Sequence, residues 1–161
     1  MQLDTRDLEI LRILSRNGRI TKTALAQAVG LSPTPAWDRL KRLEQAGLIE
    51  RYQALINLKK LGPHITVFVT AELSDHTAAK MQIFEDAVRR YDEIVACWAL
   101  GGGFDYLLQI VTTDIDSYQA LIDALLEAQI GLSRYYTYVV TKPVKTGAAP
   151  PLDLLAGPQK K

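Results

Sequence analysis

Residues 30–35 read Gly-Leu-Ser-Pro-Thr-Pro, and this short stretch decides the fold of the region around it. Gly30 is placed to end one helix, while Ser32 and Pro33 form the N-cap and first-turn pattern that begins the next. This next helix is predicted over residues 33–46, because its apolar residues recur at i, i+4 and i+7. These inward-facing residues are Ala36, Leu40 and Leu43. Two helices joined by so tight a turn predict a helix-turn-helix.

The flanking sequence extends this pattern on both sides. A helix over residues 4–17 has Asp4 as its cap and a stripe of leucine and isoleucine, and a helix that begins at Thr21 leads into the tight turn. Gly47 ends the third helix, after which residues 48–56 are predicted to form a strand pair or a bent strand. Three short helices followed by strands are typical of a winged helix-turn-helix.

The rest of the chain follows a different pattern. Residues 57–63 form a boundary at which helical periodicity gives way to strand signals. Strands are predicted over 65–73, 94–100, 106–112 and 134–142, and helices over about 77–91 and 116–128. The order β-α-β-β-α-β is that of a ferredoxin-like domain, so the predicted fold class is α+β. The predicted domains are a winged helix-turn-helix over 1–60, a βαββαβ domain over 61–145 and a flexible tail over 146–161.

Two of the predicted strands bear on assembly. A sheet with both helices on one face leaves its other face wet, which produces alternation of apolar and polar residues. Neither residues 94–100 nor residues 135–140 alternate in this way. Because nothing else in the chain could cover the second face, we expect it to pack on another copy and form an obligate dimer.

The net charge of +1 conceals an uneven distribution. Residues 1–60 carry eleven Lys and Arg against six Asp and Glu, a net charge of +5. Residues 61–142 carry five bases and eleven acids, or −6, and residues 143–161 carry three bases and one acid, or +2. A basic first third joined to an acidic middle indicates a nucleic-acid-binding module attached to a second function.

Several classes of protein are disfavoured. Cys97 is the single cysteine, which excludes an intrachain disulfide framework and a cysteine-rich zinc site. The N-terminus lacks the features of a signal peptide, and no apolar run has the length of a membrane span, about 18 residues. His64 and His76 stand in no metal-ligand motif. We therefore expect a cytoplasmic protein that is not an enzyme, with no metal and no cofactor.

The outer face of the predicted helix 33–46 carries the candidate DNA-binding residues. Short polar side chains suit base edges, and basic side chains suit phosphate or guanine. The candidates are Ser32, Thr34, Pro35, Trp37, Asp38, Arg39, Lys41 and Arg42. Alternatives remain open for several of them. Arg39 and Arg42 could be ordinary solvated charges, Trp37 could belong to the core or to a dimer contact, and Asp38 could serve to orient Arg42.

A glycine run lies between two predicted strands. Gly101, Gly102 and Gly103 can expose several backbone N–H groups and let a ligand approach closely. The adjacent Asp105 could bind an ammonium group, so the loop offers both partners that an amino-acid zwitterion needs. The simpler alternative, favoured on the chemistry alone, is a flexible hairpin loop in which Asp105 caps backbone groups. A dinucleotide fingerprint is excluded, because its third glycine position is Tyr106.

Two motif sets together resemble one known family. Residues 31–35, 39–44 and 47–49 resemble the DNA-binding module of the leucine-responsive regulatory protein (Lrp/AsnC) family. Residues 102–108, Asp114, Tyr118, Gly131 and residues 137–140 resemble its ligand-sensing domain. The resemblance implies a transcription regulator whose second domain pairs into dimers, which assemble further into octamers or similar discs. It also implies an effector pocket formed by Ala99, Leu100, Gly101, Gly102, Gly103, Asp105, Thr137, Tyr138 and Val139.

We therefore expect a sequence-specific DNA-binding regulator of transcription. An amino acid or related metabolite is expected to change its assembly or its DNA affinity, and each dimer is expected to bind double-stranded half-sites one or more turns of about 10 bp apart. The alternative is an architectural oligomer of the same fold that coats DNA with little sequence preference. A further alternative is an enzyme or ligand carrier that uses the helix-turn-helix only for protein contacts.

Overall fold

The computed structural model describes residues 3–156. The chain divides into two compact units. The first unit contains the chain up to Ile56 together with the segment that begins at Lys145, and the second unit is Asn57–Val144. The first unit is therefore made of two segments of the chain, and the second unit lies between them in the sequence.

Three helices form the first unit, as the sequence predicts: α1 (Thr5–Leu14), α2 (Lys22–Ala28) and α3 (Pro33–Gln45). Asp4 caps α1 in a capping box, accepting a 2.9 Å hydrogen bond from the Asp7 N–H, while the Asp4 N–H donates to the Asp7 carboxylate. Thr21 caps α2. Ser32 occupies the N-cap position of α3, but its side chain makes no capping hydrogen bond. Gly30, with φ of 64°, makes the turn between α2 and α3.

The helices pack around a small apolar core. Ala36, Leu40 and Leu43 are buried on the inner face of α3, as predicted. The buried cluster that joins the three helices consists of Ile10, Leu25, Val29, Leu40 and Leu43. Each buried aliphatic side chain of this kind contributes about 1.5–3 kcal/mol. This packing fixes which face of α3 is left for solvent.

The strand pair predicted over residues 48–56 is wrong. Among the described residues no strand pairing occurs in this segment, and a 3-10 turn (Leu58–Lys60) follows it. A strand needs a neighbour for its backbone N–H and C=O groups, and this chain places none beside it. Leu55 and Ile56 are 83% and 62% exposed, so the apolar residues that suggested a strand are unburied in the single chain.

The predicted flexible tail is partly structured. Leu152–Leu155 form a short helix, α6, which belongs to the first unit. Asp153 forms an ion pair with Arg12 of α1. Tail composition alone cannot show that a short helix forms here and that Asp153 pairs with Arg12. The tail residues 157–161 lie outside the described residues.

The second unit has the predicted β-α-β-β-α-β order. Its elements are β1 (Ile65–Leu73), α4 (Ala78–Val88), β2 (Ile94–Ala99), β3 (Tyr106–Thr112), α5 (Ile115–Glu127) and β4 (Leu132–Val139). The four strands form one antiparallel sheet in the order β2-β3-β1-β4. β4 lies two or three residues earlier than predicted, because its first residue, Leu132, pairs with Leu73 at the end of β1.

The two faces of this sheet differ. Alternate residues of β1 and β3, among them Val67, Val69, Leu108 and Ile110, are buried in one cluster with the apolar faces of α4 and α5. The opposite face is open in the single chain. The register places Trp98, Tyr136 and Tyr138 on it, and these side chains are 46%, 44% and 52% exposed. The burial predicted for both faces is therefore not achieved by one chain.

Candidate nucleic-acid interface and effector pocket

The outer face of α3 is exposed along its length. Ser32, Thr34, Pro35, Asp38 and Lys41 are all exposed, since the inner side of the helix is committed to the core. Ser32 and Thr34 lie at the N-terminal end, where Pro33 and Pro35 have no backbone N–H, so the exposed hydroxyls of these two residues are the polar groups available there. This surface has the polar, short side chains that can reach base edges in a major groove.

Two of the predicted DNA-binding residues already form ion pairs within the protein. Arg39 donates hydrogen bonds to Asp4 Oδ2 (2.5 Å) and Asp7 Oδ1 (2.9 Å). Arg42 donates to both Asp7 carboxylate oxygens, at 2.7 and 2.6 Å. The Asp7 side chain is only 1% exposed. The hydrogen bonds that Arg39 donates to Asp4 and Asp7 raise the pKa of Arg39 above its ordinary value. These arginines are therefore not simply solvated charges.

The partner of Arg42 differs from the one considered from the sequence. Asp38 was a candidate for orienting Arg42, but within residues 3–156 Arg42 pairs with Asp7 of α1 and no ion pair joins it to Asp38. Asp7 is the residue that sequence reasoning missed. It lies 35 positions from Arg42, and the only local signal was its role in the capping box with Asp4.

Trp37 has a structural role. It is partly buried and packs against the core cluster of the three helices. The Lys22 ammonium lies 3.2 Å from the centroid of the indole ring, a cation–π contact. Lys22 is the first residue of α2 and is exposed. Sequence reasoning did not single out Lys22, because the contact joins two helices and leaves no local pattern.

The glycine loop connects β2 to β3. Gly101, Gly102 and Gly103 are exposed, and a Cβ added to any of them would meet nothing within 4 Å. The base of the loop is closed by the Leu100 N–H, which donates to the Asp105 carbonyl at 2.8 Å. Among the described residues, the N–H groups of the three glycines make no hydrogen bond to the protein. They remain free for an external acceptor.

The Asp105 carboxylate already has hydrogen-bond partners, unlike the glycine N–H groups beside it. Its Oδ2 accepts a 2.7 Å hydrogen bond from the Leu73 N–H, and a carboxylate oxygen lies 3.1 Å from His76 Nε2. The side chain is 19% exposed. The backbone-capping role considered from the sequence is thus present. His76 is an addition that the sequence did not reveal.

The predicted effector residues come from two parts of the second unit. Thr137, Tyr138 and Val139 lie on β4, and β1 lies between this edge strand and β3 in the sheet. The glycine loop nevertheless reaches β4, because the Phe104 ring packs edge-on against Tyr136 with 5.5 Å between the ring centroids. The Thr137 hydroxyl is already paired, since it lies 2.5 Å from the Tyr118 hydroxyl of α5.

Ala99 lines a different opening. A cavity of about 360 Å³ lies between α4 and the β2–β3 edge, lined by Glu85, Val88, Arg89, Ile94, Cys97, Ala99 and Tyr106. The Tyr106 hydroxyl donates to Glu85 Oε1 at 3.0 Å, and burial with this bond raises the pKa of Tyr106 to about 12. Burial, with nearby Glu85, raises the pKa of the Cys97 thiol to about 11. The thiol stays protonated at neutral pH and is a poor nucleophile.

Other kinds of site find no support in the part of the chain that the structure describes. Among residues 3–156, no group of His, Cys, Asp and Glu side chains is arranged to hold a metal ion. No helix of these residues is long and apolar enough to cross a membrane.

Comparison with known proteins assigns both units. Residues 3–50 match the family model of a winged helix-turn-helix DNA-binding domain. Residues 66–150 match the model of the Lrp/AsnC ligand binding domain. The two matches follow each other in the order that the resemblance implied.

Individual relatives agree with these matches. The chain is 49% identical to the transcriptional regulatory protein DoeX of Halomonas elongata, over 92% of this chain and 94% of that protein. It is 38% identical to the leucine-responsive regulatory protein of Escherichia coli, over 89% and 87% of the two chains. A solved transcriptional regulator from Neisseria meningitidis, in complex with L-Met, superposes with a TM-score of 0.88 at 33% identity, over 95% and 99%. These relatives are regulators of transcription and not enzymes.

Proposed function

Because the chain belongs to the Lrp/AsnC family of transcriptional regulators, we propose that it recognises specific DNA sites through α3 and that an amino-acid-like metabolite controls its assembly or DNA affinity. The observation that carries the DNA-binding part is the exposed polar face of α3, whose opposite side is fixed in the core. In a helix-turn-helix the second helix enters the major groove. Ser32, Thr34, Pro35, Asp38 and Lys41 are its proposed contact residues.

The DNA-binding proposal is tested by mobility shift with DNA from the protein's own promoter region. We expect a discrete complex whose affinity falls steeply with salt, because phosphate contacts release counterions. Thr34→Ala and Lys41→Ala should weaken it about tenfold, whereas Gln45→Ala, at the exposed end of the same helix, should not. Absence of any complex at low salt would contradict the proposal. Footprinting decides between specific sites and the uniform coating expected of an architectural oligomer.

The effector proposal rests on the glycine loop. Its N–H groups are free to donate hydrogen bonds to a carboxylate, and Asp105 beside them carries a negative charge that suits an ammonium group. We propose that this loop binds an amino-acid zwitterion together with Thr137, Tyr138 and Val139. L-Met in the complex of the Neisseria meningitidis regulator supports this ligand class. A ligand that binds one assembly state more tightly shifts the population toward it.

The effector proposal is tested by a thermal-shift screen of the amino acids, followed by mobility shift with each hit. Asp105→Asn keeps an oxygen that can accept from the Leu73 N–H but removes the charge, so the variant should fold, bind DNA and lose the response. Asp123→Asn, on the exposed side of α5, is the matched control. A normal response of Asp105→Asn would show that the carboxylate does not bind the ligand amine.

A further inference from the structure

Asp7 stands at the centre of a charged cluster that joins α1 to α3. Its carboxylate is almost fully buried and receives hydrogen bonds from Arg39, from Arg42 and from the N–H of Asp4. Asp4 pairs with Arg39 on the solvent side of the cluster. Two carboxylates thus face two guanidinium groups, so the cluster as a whole carries no net charge.

The geometry of this cluster restricts both arginines. Arg42 places a single terminal nitrogen between the two oxygens of Asp7, and Arg39 bridges Asp7 to Asp4. A buried ion pair holds its members firmly, because separating them leaves an uncompensated charge in a poorly solvated place. Arg39 and Arg42 lie on one side of α3, so their attachment to α1 acts together with the core packing to fix the rotation and tilt of this helix.

We propose that Asp7 is a positioning residue for DNA recognition. It holds and neutralises Arg39 and Arg42, so that they orient α3 instead of serving as its phosphate-binding charges. The outward face of α3 is then left with Asp38 and Lys41 as its charged groups, and its contacts favour base recognition over general attraction to phosphate. This inference rests on the proposed DNA-binding function and assigns roles within that interface.

Asp7→Asn tests the inference directly, because the substitution keeps the shape and removes the charge. The freed guanidinium groups should strengthen binding to non-specific DNA and steepen its dependence on salt by about one unit in the log–log slope. Binding to the specific site should weaken about tenfold, because α3 loses its fixed orientation. A residue that only stabilised the fold would not strengthen non-specific binding. An unchanged slope and an unchanged ratio of specific to non-specific affinity in folded Asp7→Asn would overturn the inference.

A second set of variants gives a result even if Asp7→Asn does not fold. Arg42→Gln and Arg42→Lys should both weaken specific binding with little change in the salt slope, because geometry and not charge is lost. Lys41→Gln, whose side chain is exposed on the same helix, should lower the slope by about one unit. If Arg42→Gln lowers the slope as much as Lys41→Gln, or if Arg42→Lys binds normally, Arg42 is a phosphate contact and the inference is wrong.

The outcomes separate this inference from the proposed function. If the unmodified protein binds no DNA at low salt, the proposed function fails. If it binds a discrete site but the variants of Asp7 and Arg42 behave as ordinary charge changes, only the role of Asp7 fails. Circular dichroism of each variant shows whether the helices are intact.

A separate observation points to a further DNA-contacting residue. Lys22 is the exposed first residue of α2, and its ammonium is held 3.2 Å from the centroid of the Trp37 ring. In a helix-turn-helix the helix before the recognition helix crosses the phosphate backbone. We infer that Lys22 contacts phosphate and that Trp37 positions it. This assignment also rests on the proposed DNA-binding function.

The Lys22 assignment is tested by comparing how two substitutions change DNA binding. Lys22→Gln should lower the salt slope by about one unit and weaken specific and non-specific binding equally, because phosphate contacts carry no sequence information. Trp37→Leu should weaken DNA binding but keep most of the salt slope, because the Lys22 ammonium remains and only its position over the indole ring is lost. Arg19→Gln, which removes an exposed basic side chain in the preceding turn, is the control. If Lys22→Gln leaves the slope unchanged, Lys22 does not contact phosphate.

Discussion

Single residues in this protein take their roles from partners far away in the sequence. Arg39 and Arg42 looked like the strongest basic contacts for DNA, yet both are paired with Asp7, more than thirty positions earlier. Asp105 likewise divides its carboxylate between a backbone N–H of β1 and His76. In each case packing gives the side chain a partner within the protein, and its role in binding DNA or effector stays a prediction.

Asp7 should contribute measurably to the stability of the first unit. Asp7→Ala leaves two partly exposed guanidinium groups without their shared partner, so we expect the free energy of unfolding to fall by about 1–3 kcal/mol. Glu9→Ala removes only the exposed pair with Arg6 and should cost no more than about 1 kcal/mol. Urea denaturation followed by circular dichroism measures both. Equal, small effects would show that the Asp7 cluster contributes little.

Asp4 gives the first unit a dependence on acid pH. Burial opposes its ionisation, but the Asp7 N–H and Arg39 outweigh this and lower the pKa of Asp4 below its ordinary 3.8. A lowered folded-state pKa adds stability above the unfolded pKa, which is lost as pH falls through the folded value. The unfolding free energy should therefore drop below about pH 4, and less in Asp4→Asn. Identical pH profiles of the two proteins would contradict this.

At the scale of elements, local sequence signals predict some helices and strands correctly and others wrongly. The caps of α1 and α2, the turn at Gly30 and the order of the elements in the second unit all match their predictions. Helix caps and apolar periodicity act within a few residues, so sequence shows them directly. The strands predicted over 48–56 and the tail were misjudged, because their structure depends on what lies beside them.

The turn between α2 and α3 should tolerate no side chain at position 30. Gly30 has a φ of 64°, which costs an L-residue about 1–2 kcal/mol. Gly30→Ala should therefore lower the melting temperature of the first unit. Gly18→Ala, where no positive φ is required and the nearest atom is 3.4 Å away, serves as the control. A melting temperature unchanged in Gly30→Ala would mean that the turn relaxes without cost.

At the scale of the whole molecule, a single chain leaves part of its apolar surface exposed. The open sheet face carries Trp98, Tyr136 and Tyr138, and an exposed apolar patch of this kind marks an interaction surface. This open face supports the proposal that the protein functions as an assembly of identical chains.

The open face should mediate dimer formation. Tyr138→Glu places a charge on this face, and burying it without a partner is costly. We expect the variant to be monomeric in light scattering at micromolar concentration, whereas the unmodified protein is a dimer or larger. Lys80→Glu, exposed on α4 on the other side of the sheet, is a control for changed charge. A monomeric unmodified protein would refute the proposal.

The sequence by itself determined the helix-turn-helix, the βαββαβ order, the inner face of α3 and the resemblance to the Lrp/AsnC family, because caps, periodicity and motifs are written in neighbouring residues. Only the tertiary structure decided that Arg39 and Arg42 pair with Asp7, that Trp37 holds Lys22 and that the glycine loop reaches β4 through Phe104 and Tyr136. Ion pairs and cation–π contacts form wherever packing brings side chains together. Their partners are fixed by how helices and strands dock, which no local pattern specifies.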